Sequence, residues 1–272
     1  VNAASTWVVG CGTRAAKSLA KVPWRLTGPL PLLPQRRMRL LLGAPPLGGD
    51  GVWSALDPRA TYDQEPSPAL VGLALDAARE AAGLRLERLE ARASDAGSRF
   101  AGWVNQYPGE HYRLLAAFCR VMRPRTIVEI GTYTGASALA LVEASAADAR
   151  VVTYDIIPAA EIEGSLLAEA DFADGRLEQR IGDLAQPAFW ASEQELFGEA
   201  DIVFLDGPKD GVFEPHMLEK LANLDRTRPF LLVVDDIRFL EMLEPWARFP
   251  SPKLDLTSFG HWSGTGVALV GE

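Results

Sequence analysis

The sequence predicts an α/β fold in which a mostly parallel, seven-stranded sheet carries helices on both faces. From residue 126 onward, short apolar runs rich in β-branched residues alternate with helical segments, which is the pattern of a parallel sheet. The last two predicted strands, 257–260 and 265–270, have no helix between them and indicate an antiparallel C-terminal hairpin. A chain of 272 residues, 48% of them hydrophobic, is sufficient for one large domain with an N-terminal extension.

Charge separates the N-terminal arm from the rest of the chain. The formal net charge of -9 argues against a nucleic-acid partner. Residues 1–50 nevertheless carry seven basic residues against one acidic residue. Together with Pro29, Pro31 and Pro34, this composition predicts an irregular, basic arm over residues 1–66. The acid-poor start resembles a transit peptide but lacks Ser enrichment, and because the chain begins without Met a trimmed start is an equal interpretation.

Cysteine use and hydropathy predict a cytoplasmic protein without a membrane partner. Cys11 and Cys119 are the two cysteines, and neither has a second Cys or a His at metal-ligand spacing. A disulfide framework is therefore not expected, and a reducing compartment is. No uninterrupted apolar run reaches membrane-spanning length.

Residues 67–100 are predicted to form helices beside the main domain. Apolar residues recur from Leu70 to Ala82 at spacings that a helix places on one face. Alternating Arg and Glu between Leu84 and Ala93 predict a second helix with a solvated face. We expect this segment to act as a lid or a dimerisation surface, so a homodimer through it is the predicted protein partner.

A glycine-bounded turn between a strand and a helix is the centre of the predicted domain. Thr126–Ile130 is an apolar run typical of a strand buried on both faces, and a helix is predicted from Ala136. Gly131 and Gly135 bound the turn, where the backbone needs unusual torsion angles and close approach to a ligand. The pattern G-x-x-x-G, with Glu129 two residues before its first glycine, suits a cationic ligand better than a pyrophosphate. An ordinary glycine turn is the alternative, and this stretch alone does not decide between them.

Acidic residues follow four further predicted strands. The strands and their acids are 150–154 with Asp155, 177–181 with Asp183, 200–205 with Asp206, and 230–234 with Asp235 and Asp236. Ligands bind outside the carboxyl ends of the strands in an open α/β sheet, so this grouping indicates more than solvation. Asp155 lies where a βαβ unit places an acid against a ribose diol. Asp206, Asp235 and Asp236 together would suit Mg²⁺, Ca²⁺ or Mn²⁺.

The stretch Glu129-Ile-Gly-Thr-Tyr-Thr-Gly135 resembles motif I of class I S-adenosylmethionine-dependent methyltransferases. The resemblance implies a Rossmann-like fold and an S-adenosylmethionine-binding domain over residues 101–272. Glu129 and Asp155 would hold the amino acid and ribose ends of the cofactor, and Asp183 would face the adenine. The full set of cofactor contacts that the resemblance implies is Glu129, Gly131, Thr132, Tyr133, Gly135, Ser137, Asp155, Asp183 and Asp206.

Asp206 and Lys209, three residues apart, and Asp235 resemble the divalent-metal-dependent catechol and caffeoyl-CoA type O-methyltransferases. The resemblance covers roughly residues 103–272. It implies a divalent cation, Mg²⁺ or else Mn²⁺ or Ca²⁺, on Asp206, Asp235 and Asp236, although Asp236 stands where the family has Asn. It also implies that Asp206 and Lys209 are catalytic. Lys209 would take the proton of the substrate hydroxyl, which requires its surroundings to lower its pKa.

The histidines are not assigned to the site. His111 follows the Pro108-Gly109 turn, which lies near the sulfonium and the substrate in the family that the chain resembles. A lone His at a helix start is, however, more often a surface or capping group. His216 and His261 are too isolated in sequence to indicate a zinc site.

The sequence therefore predicts an S-adenosylmethionine-dependent O-methyltransferase that acts on a hydroxyl of a small molecule with a divalent metal. Where enzymes that methylate amino groups carry an aromatic clamp, this chain has Asp206-Gly-Pro-Lys209, and it has no G-x-S-x-G elbow of a hydrolase. Two alternatives stay open. One is a metal-free O-methyltransferase in which Asp206 and Asp236 surround the cofactor or are structural. The other is a non-catalytic S-adenosylmethionine-binding module whose basic arm engages a partner.

Overall fold

The structure of the protein, a computed structural model, describes residues 66–98 and 101–272. The predicted N-terminal arm lies, except for Pro66, outside the described residues. Cys119 lies within them and is a buried free thiol. No helix in the described part of the chain combines the length and the apolar character that crossing a membrane requires.

One seven-stranded sheet forms the centre of the domain. Its strands are β1 (Thr126–Ile130), β2 (Arg150–Asp155), β3 (Leu177–Ile181), β4 (Ile202–Leu205), β5 (Phe230–Asp235), β6 (Lys253–Asp255) and β7 (Thr265–Val270). Their order is β3-β2-β1-β4-β5-β7-β6. Strands β1 to β5 are parallel, and β7 is antiparallel to both β5 and β6. The predicted fold class is confirmed, and the strand that precedes the glycine turn lies in the middle of the parallel part.

Helices cover both faces of this sheet. The α-helices of the described residues are α1 (Pro68–Gly83), α2 (Glu87–Asp95), α3 (Tyr112–Met122), α4 (Ala136–Ala144), α5 (Pro187–Glu199), α6 (Phe213–Ala222) and α7 (Leu243–Arg248). Successive residues of a strand point to opposite faces, so Ile127 packs with α1 to α4 and Val128 packs with α5 to α7. Both side chains are fully buried, which explains why the parallel strands are continuous apolar runs.

The C-terminal antiparallel pair is present, but its first strand lies earlier than predicted. Residues 257–260 form a turn, and the strand is β6, Lys253–Asp255. The reason is local, because the carboxylate of Asp255 accepts hydrogen bonds from the backbone N–H of Thr257, at 2.9 Å, and from its hydroxyl. This competition for the backbone ends the strand.

The segment 67–100 forms helices, as predicted, and these helices share the core of the sheet domain. Leu70 of α1 and Leu89 of α2 are fully buried in the same hydrophobic cluster as Ile127 of β1. The buried guanidinium of Arg113 on α3 donates to the carbonyl oxygen of Ala82 at 2.6 Å, near the end of α1. The segment is therefore packed into the domain, and its role as a lid or a dimerisation surface stays a prediction.

Helix α2 receives its N-terminal cap from another helix. Its own N-cap residue, Leu86, makes no side-chain cap. The carboxylate of Glu143 on α4 instead accepts from the backbone N–H groups of Arg88 and Leu89, each at 3.0 Å. These are N–H groups that a helix start leaves without an internal partner, and a negative charge there also suits the helix dipole.

We expect Glu143→Ala to lower the free energy of unfolding by about 1 kcal/mol, the usual cost of losing a cap. Glu143→Gln keeps one carbonyl acceptor and should lose less. Equilibrium denaturation with urea measures both. The control is Glu163→Ala, at an exposed carboxylate, where a change within about 0.5 kcal/mol is expected. Equal values for Glu143→Ala and the control would show that the cap contributes nothing.

Candidate active site

The acids predicted at the strand ends lie along two adjacent cavities at the carboxyl edge of the sheet. The larger cavity has a volume of about 630 Å³ and the smaller one about 390 Å³. Asp155 and Asp183 line the larger cavity, Asp235 and Asp236 line the smaller one, and Asp206 lines both. Gly131 and Tyr133 also line both, so the two cavities meet at the glycine turn and the tip of β4.

The acids of the larger cavity are held by backbone groups. Asp155 accepts from the backbone N–H of Tyr133 at 2.9 Å and from that of Ile157 at 3.1 Å. Asp183 accepts from the backbone N–H of Ala185 at 2.8 Å. The remaining wall is largely apolar and aromatic and comes from Ile156, Ile157, Leu184, Val212 and Phe213. A cavity with apolar walls and two fixed carboxylates is suited to a flat ligand with hydroxyl or amino donors.

The glycine turn is shaped first by the protein's own backbone. Gly131 has φ 103°, and a Cβ atom there would collide with the backbone carbonyl of Asp206. Gly135, at φ 81°, is the N-cap of α4, and a Cβ atom there would collide with the side chain of Leu167. Between them Tyr133 adopts φ 43°, an uncommon value for a residue with a side chain. The tips of β1 and β4 can therefore approach only when residue 131 is glycine.

Glu129 is a fully buried carboxylate at the base of this turn. Neither of its oxygens makes a hydrogen bond of normal geometry. Burial raises the pKa of Glu129 to about 7, and the neighbouring hydroxyls of Ser137 and Thr153 partly oppose that shift. Ser137 lines the smaller cavity. A buried carboxylate without a donor is costly, so this position calls for a cationic or hydrogen-bonding partner.

The smaller cavity has a charged floor and aromatic walls. Its acidic and imidazole groups come from Glu110, His111, Asp206, Asp235, Asp236 and His261. Trp103 and Trp262 line the same cavity and are 47% and 61% exposed. Exposed tryptophans beside a polar floor are typical of the entrance to a small-molecule site.

Two histidines meet the end of β5. The Oδ1 atom of Asp235 lies 3.3 Å from Nδ1 of His111 and 3.1 Å from Nδ1 of His261. The other ring nitrogen of His261 lies 3.1 Å from the carboxylate of Glu110. Asp236 accepts a hydrogen bond from the hydroxyl of Ser263 and lies 3.4 Å from His261. One polar cluster thus joins the start of α3, the end of β5 and the loop before β7.

The charges of this cluster shift one another's pKa values. Burial alone would lower the pKa of His261, but hydrogen bonding to Asp235, Asp236 and Glu110 outweighs it and raises that pKa to about 12. The pKa of His111 is raised for the same reason, since Asp235 outweighs the effect of burial. The pKa of Asp235 is held well below its usual range, because the two imidazoles outweigh burial. The cluster is stable only with positive charge beside its carboxylates.

Lys209 lies on the opposite side of the same acids. Its ammonium group is 2.7 Å from Oδ1 of Asp206 and 3.9 Å from Oδ2 of Asp236. Burial alone would lower the pKa of Lys209, but Asp206, Asp235 and Asp236 outweigh it and raise that pKa above its usual value. The lowered pKa that a proton acceptor requires is therefore not present. Lys209 adopts φ 57°, and its backbone N–H donates to the buried carboxylate of Glu214 at 2.6 Å.

A known protein family matches most of the segments that form this site. The model of a family described as O-methyltransferase matches residues 103–240, slightly more than half of the chain. The chain belongs to the O-methyltransferase family. The resemblance carried by motif I and by the Asp206-Gly-Pro-Lys209 segment is thereby confirmed. The match begins at Trp103, in the segment that supplies His111, and ends just beyond the Asp235-Asp236 pair.

Individual relatives share limited sequence identity with this chain. It is 31% identical over 143 residues to catechol O-methyltransferase domain-containing protein 1 of Mus musculus, a match that covers 51% of this chain and 52% of that protein. The chain thus spans about half the length of this curated relative. Among solved structures, the O-methyltransferase of Bacillus cereus in complex with SAH has 21% identity and a TM-score of 0.48, covering 69% of this chain and 92% of that one. TomG of Streptomyces achromogenes, in complex with SAM, has 21% identity and a TM-score of 0.46, covering 72% and 95%.

The three carboxylates predicted as metal ligands form two separate groups in this protein. Asp206 pairs with Lys209. Asp235 and Asp236 instead form a group with His261, in which one potential ligand atom from each residue lies within 4.8 Å of the others. Among the described residues, no such group includes Asp206. The site thus brings a nitrogen donor to the place where the sequence predicted oxygen donors alone.

The sequence-based prediction left four residues out of the candidate site, namely Glu110, His111, His261 and Ser263. The interpretation of His111 as a surface or capping group is wrong, because the side chain is buried and makes no cap. His261 is isolated in the sequence, but in the structure it lies beside Glu110 and Asp235. The antiparallel pairing of β7 with β5 could have indicated that His261 belongs to the site. This pairing sets Thr265 opposite Asp235 and so brings the loop before β7 to the carboxyl edge of the sheet.

We expect Gly131→Ala to destabilise the fold itself, because the new Cβ atom meets the Asp206 carbonyl. The matched control is Gly164→Ala, at φ 77° with nothing within 4 Å of the added atom. The control should lose about 1–2 kcal/mol from left-handed backbone strain. Gly131→Ala should lose about 1–3 kcal/mol more, from overpacking. Thermal and urea unfolding measure the difference, and equal losses would show that the strand tips are free to separate.

Proposed function

We propose that this protein is an S-adenosylmethionine-dependent O-methyltransferase that acts on a hydroxyl of a small molecule. The observation that carries the proposal is the meeting of the two cavities at Gly131, Tyr133 and Asp206. Transfer between a cofactor and an acceptor requires two sites with a shared boundary, so that the reacting atoms are held in contact. Membership of the O-methyltransferase family supports oxygen as the receiving atom.

The larger cavity fits the nucleoside part of S-adenosylmethionine. Asp155 is placed to accept from ribose hydroxyls and Asp183 from the adenine amino group, with the apolar wall against the base. Glu129, buried and without a donor, fits a group that brings an ammonium. When bound, S-adenosylmethionine supplies an electrophilic methyl group on a sulfonium. The remaining predicted contacts, Thr132, Gly135 and Ser137, lie in or directly beside the glycine turn.

The smaller cavity fits a small acceptor. Its volume of about 390 Å³ is within the range of sites for small ligands. Trp103 and Trp262 offer flat apolar faces at its wall, while the floor offers charged groups to a hydroxyl. These features support a small molecule with an apolar body and a polar end.

Lys209 and Asp206 are the proposed catalytic pair, with a role for the lysine that differs from the sequence prediction. Lys209 lines neither cavity, but it contacts Asp206, which lines both. From behind Asp206, the positive charge of Lys209 favours the deprotonated, nucleophilic form of an acceptor hydroxyl. Asp206 fixes the ammonium at 2.7 Å and lies where the cavities meet. A divalent cation, when bound among the acids, would also lower the pKa of a hydroxyl in contact with it.

The function is tested with the purified full chain and S-adenosylmethionine. A panel of catechols, simple phenols and aliphatic alcohols should give a methylated product by mass spectrometry, in proportion to the S-adenosylhomocysteine formed. Parallel reactions with EDTA report metal dependence. Tight cofactor binding by calorimetry without product across the panel would instead favour the non-catalytic module.

Lys209→Gln should lower kcat by about 100-fold or more, the usual cost of removing one group that stabilises developing charge. The Kd for S-adenosylmethionine should stay within about threefold, because Lys209 does not line the larger cavity. Lys209→Arg keeps the charge and should recover part of the rate. A Gln variant with the kcat of the parent protein would remove Lys209 from the mechanism.

Asp155→Asn should weaken S-adenosylmethionine binding by about 10- to 100-fold, because a charged acceptor of hydrogen bonds contributes roughly 1.5–3 kcal/mol. The matched control is Asp148→Asn, an exposed carboxylate before β2, at the opposite edge of the sheet. Calorimetric titration measures both variants. If Asp155→Asn binds within threefold of the control, Asp155 serves only the turn at Tyr133 and Ile157.

A further inference from the structure

The donor atoms around His261 have the spacing of metal ligands. Nδ1 of His261 lies 3.1 Å from Oδ1 of Asp235 and 3.4 Å from Oδ1 of Asp236. Ligands about 2.1 Å from a shared ion lie about 3.0–3.4 Å apart in octahedral or tetrahedral geometry. His261 is therefore spaced from each carboxylate as ligands of one ion are, and the atoms of all three residues lie within 4.8 Å of one another.

The imidazole of His261 is also oriented as a metal ligand is. Its Nε2 atom lies 3.1 Å from the carboxylate of Glu110, on the side away from Asp235 and Asp236. A carboxylate on the far nitrogen of an imidazole fixes the tautomer and the ring orientation in many metal sites. Ser263 donates to Asp236 and so orients that carboxylate as well.

His111 provides an independent indication that a ligand belongs here. The residue is 4% exposed, lines the same cavity, and neither ring nitrogen makes a hydrogen bond of normal geometry. Its Nδ1 atom lies 3.3 Å from Oδ1 of Asp235. A buried imidazole that makes no hydrogen bond of normal geometry, and whose ion-pair partner is itself a proposed ligand, is placed as a further donor.

Asp206 does not belong to this set. The ammonium of Lys209 holds its Oδ1 atom and lies 3.9 Å from Asp236. A positive charge between Asp206 and Asp236 disfavours an ion shared by those two residues. The ligand set thus changes from oxygen alone to nitrogen and oxygen.

We propose that Asp235, Asp236 and His261, with His111 as a further donor, bind a first-row transition-metal ion such as Zn²⁺ or Co²⁺ in preference to Mg²⁺. Imidazole is a good ligand for these ions, whereas Mg²⁺ and Ca²⁺ favour sets of oxygen atoms. This inference extends the proposed function by naming the ion of the acceptor cavity and its ligands. Its test measures the binding of metal ions and not methyl transfer. The metal proposal can therefore fail while methyl transfer is observed, and methyl transfer can be absent while the metal binds.

The test uses the full chain, freed of metal by EDTA and dialysis, and titrates it with Zn²⁺, Co²⁺ and Mg²⁺. Calorimetry should show one equivalent of Zn²⁺ bound at least 100-fold more tightly than Mg²⁺. Co²⁺ should give a visible absorption spectrum of a site with nitrogen and oxygen ligands. His261→Gln should weaken Zn²⁺ binding by at least 30-fold and alter the Co²⁺ spectrum.

Two variants separate the ligand sets. Asp206→Asn should bind Zn²⁺ within about threefold of the parent, since Asp206 pairs with Lys209. His216→Gln is the matched control for adventitious binding, because His216 is the third histidine of the chain and is exposed. Glu110→Gln, which leaves every proposed ligand in place, should weaken Zn²⁺ binding by about 10-fold, and circular dichroism checks the fold of each variant.

Two outcomes would overturn the proposal. Mg²⁺ binding as tight as Zn²⁺ binding, together with its loss in Asp206→Asn, would show that the three carboxylates form the site. Zn²⁺ binding that is absent, or equal in folded His261→Gln and Glu110→Gln proteins, would show that the imidazoles act only as ion-pair partners of Asp235.

Discussion

The active-site end of this protein depends on balancing negative charge that is concentrated at one buried edge of the sheet. Parallel strands end at the same edge, so Asp206 after β4 and the Asp235-Asp236 pair at the end of β5 are neighbours by topology. Buried carboxylates that face one another are unstable without compensation. Lys209 provides it on one side. On the other side it comes from the protonated imidazoles of His111 and His261 or, under the proposal above, from the ion that they would bind. The ion pairs with these carboxylates also hold in place the segments that carry Lys209, His111 and His261.

The strands and the glycine turn were predictable because their determinants are local. The run Thr126–Ile130 has the composition of a strand buried on both faces, and the structure places β1 over the same residues. The requirement for Gly131 could be anticipated as a turn with unusual torsion angles. Its stronger cause, contact with the carbonyl of Asp206, joins residues 75 positions apart and is not visible in the sequence. The start of β6 was misplaced because a single side chain, Asp255, competes for the backbone.

The site was only partly predictable because its charges come from separate segments. Five acids could be assigned to the carboxyl edge because each of them comes at the end of a predicted strand. The pairing of Asp206 with Lys209, rather than with Asp235, depends on side-chain positions that strand order does not specify. The pKa of Lys209 is raised by acids at the ends of two strands and lowered by burial. Spacing along the chain could not show which of these effects is larger, and so could not give the direction of the pKa shift. His111 and His261 approach within 5.3 Å between ring centres although 150 residues separate them.

The position of the two cavities along the sheet has a consequence for how this protein can change over evolutionary time. The larger cavity draws its lining from β1 to β4 and the loops that follow them. The parts of the smaller cavity that it does not share come from the glycine turn with the start of α4, from the end of β5, from the segment that leads into α3 and from the loop before β7. Under the proposed function, mutations in the last two segments would alter the acceptor side and leave the nucleoside side intact. The range of acceptors would then change, over evolutionary time or in the laboratory, through two short segments on an unchanged cofactor platform.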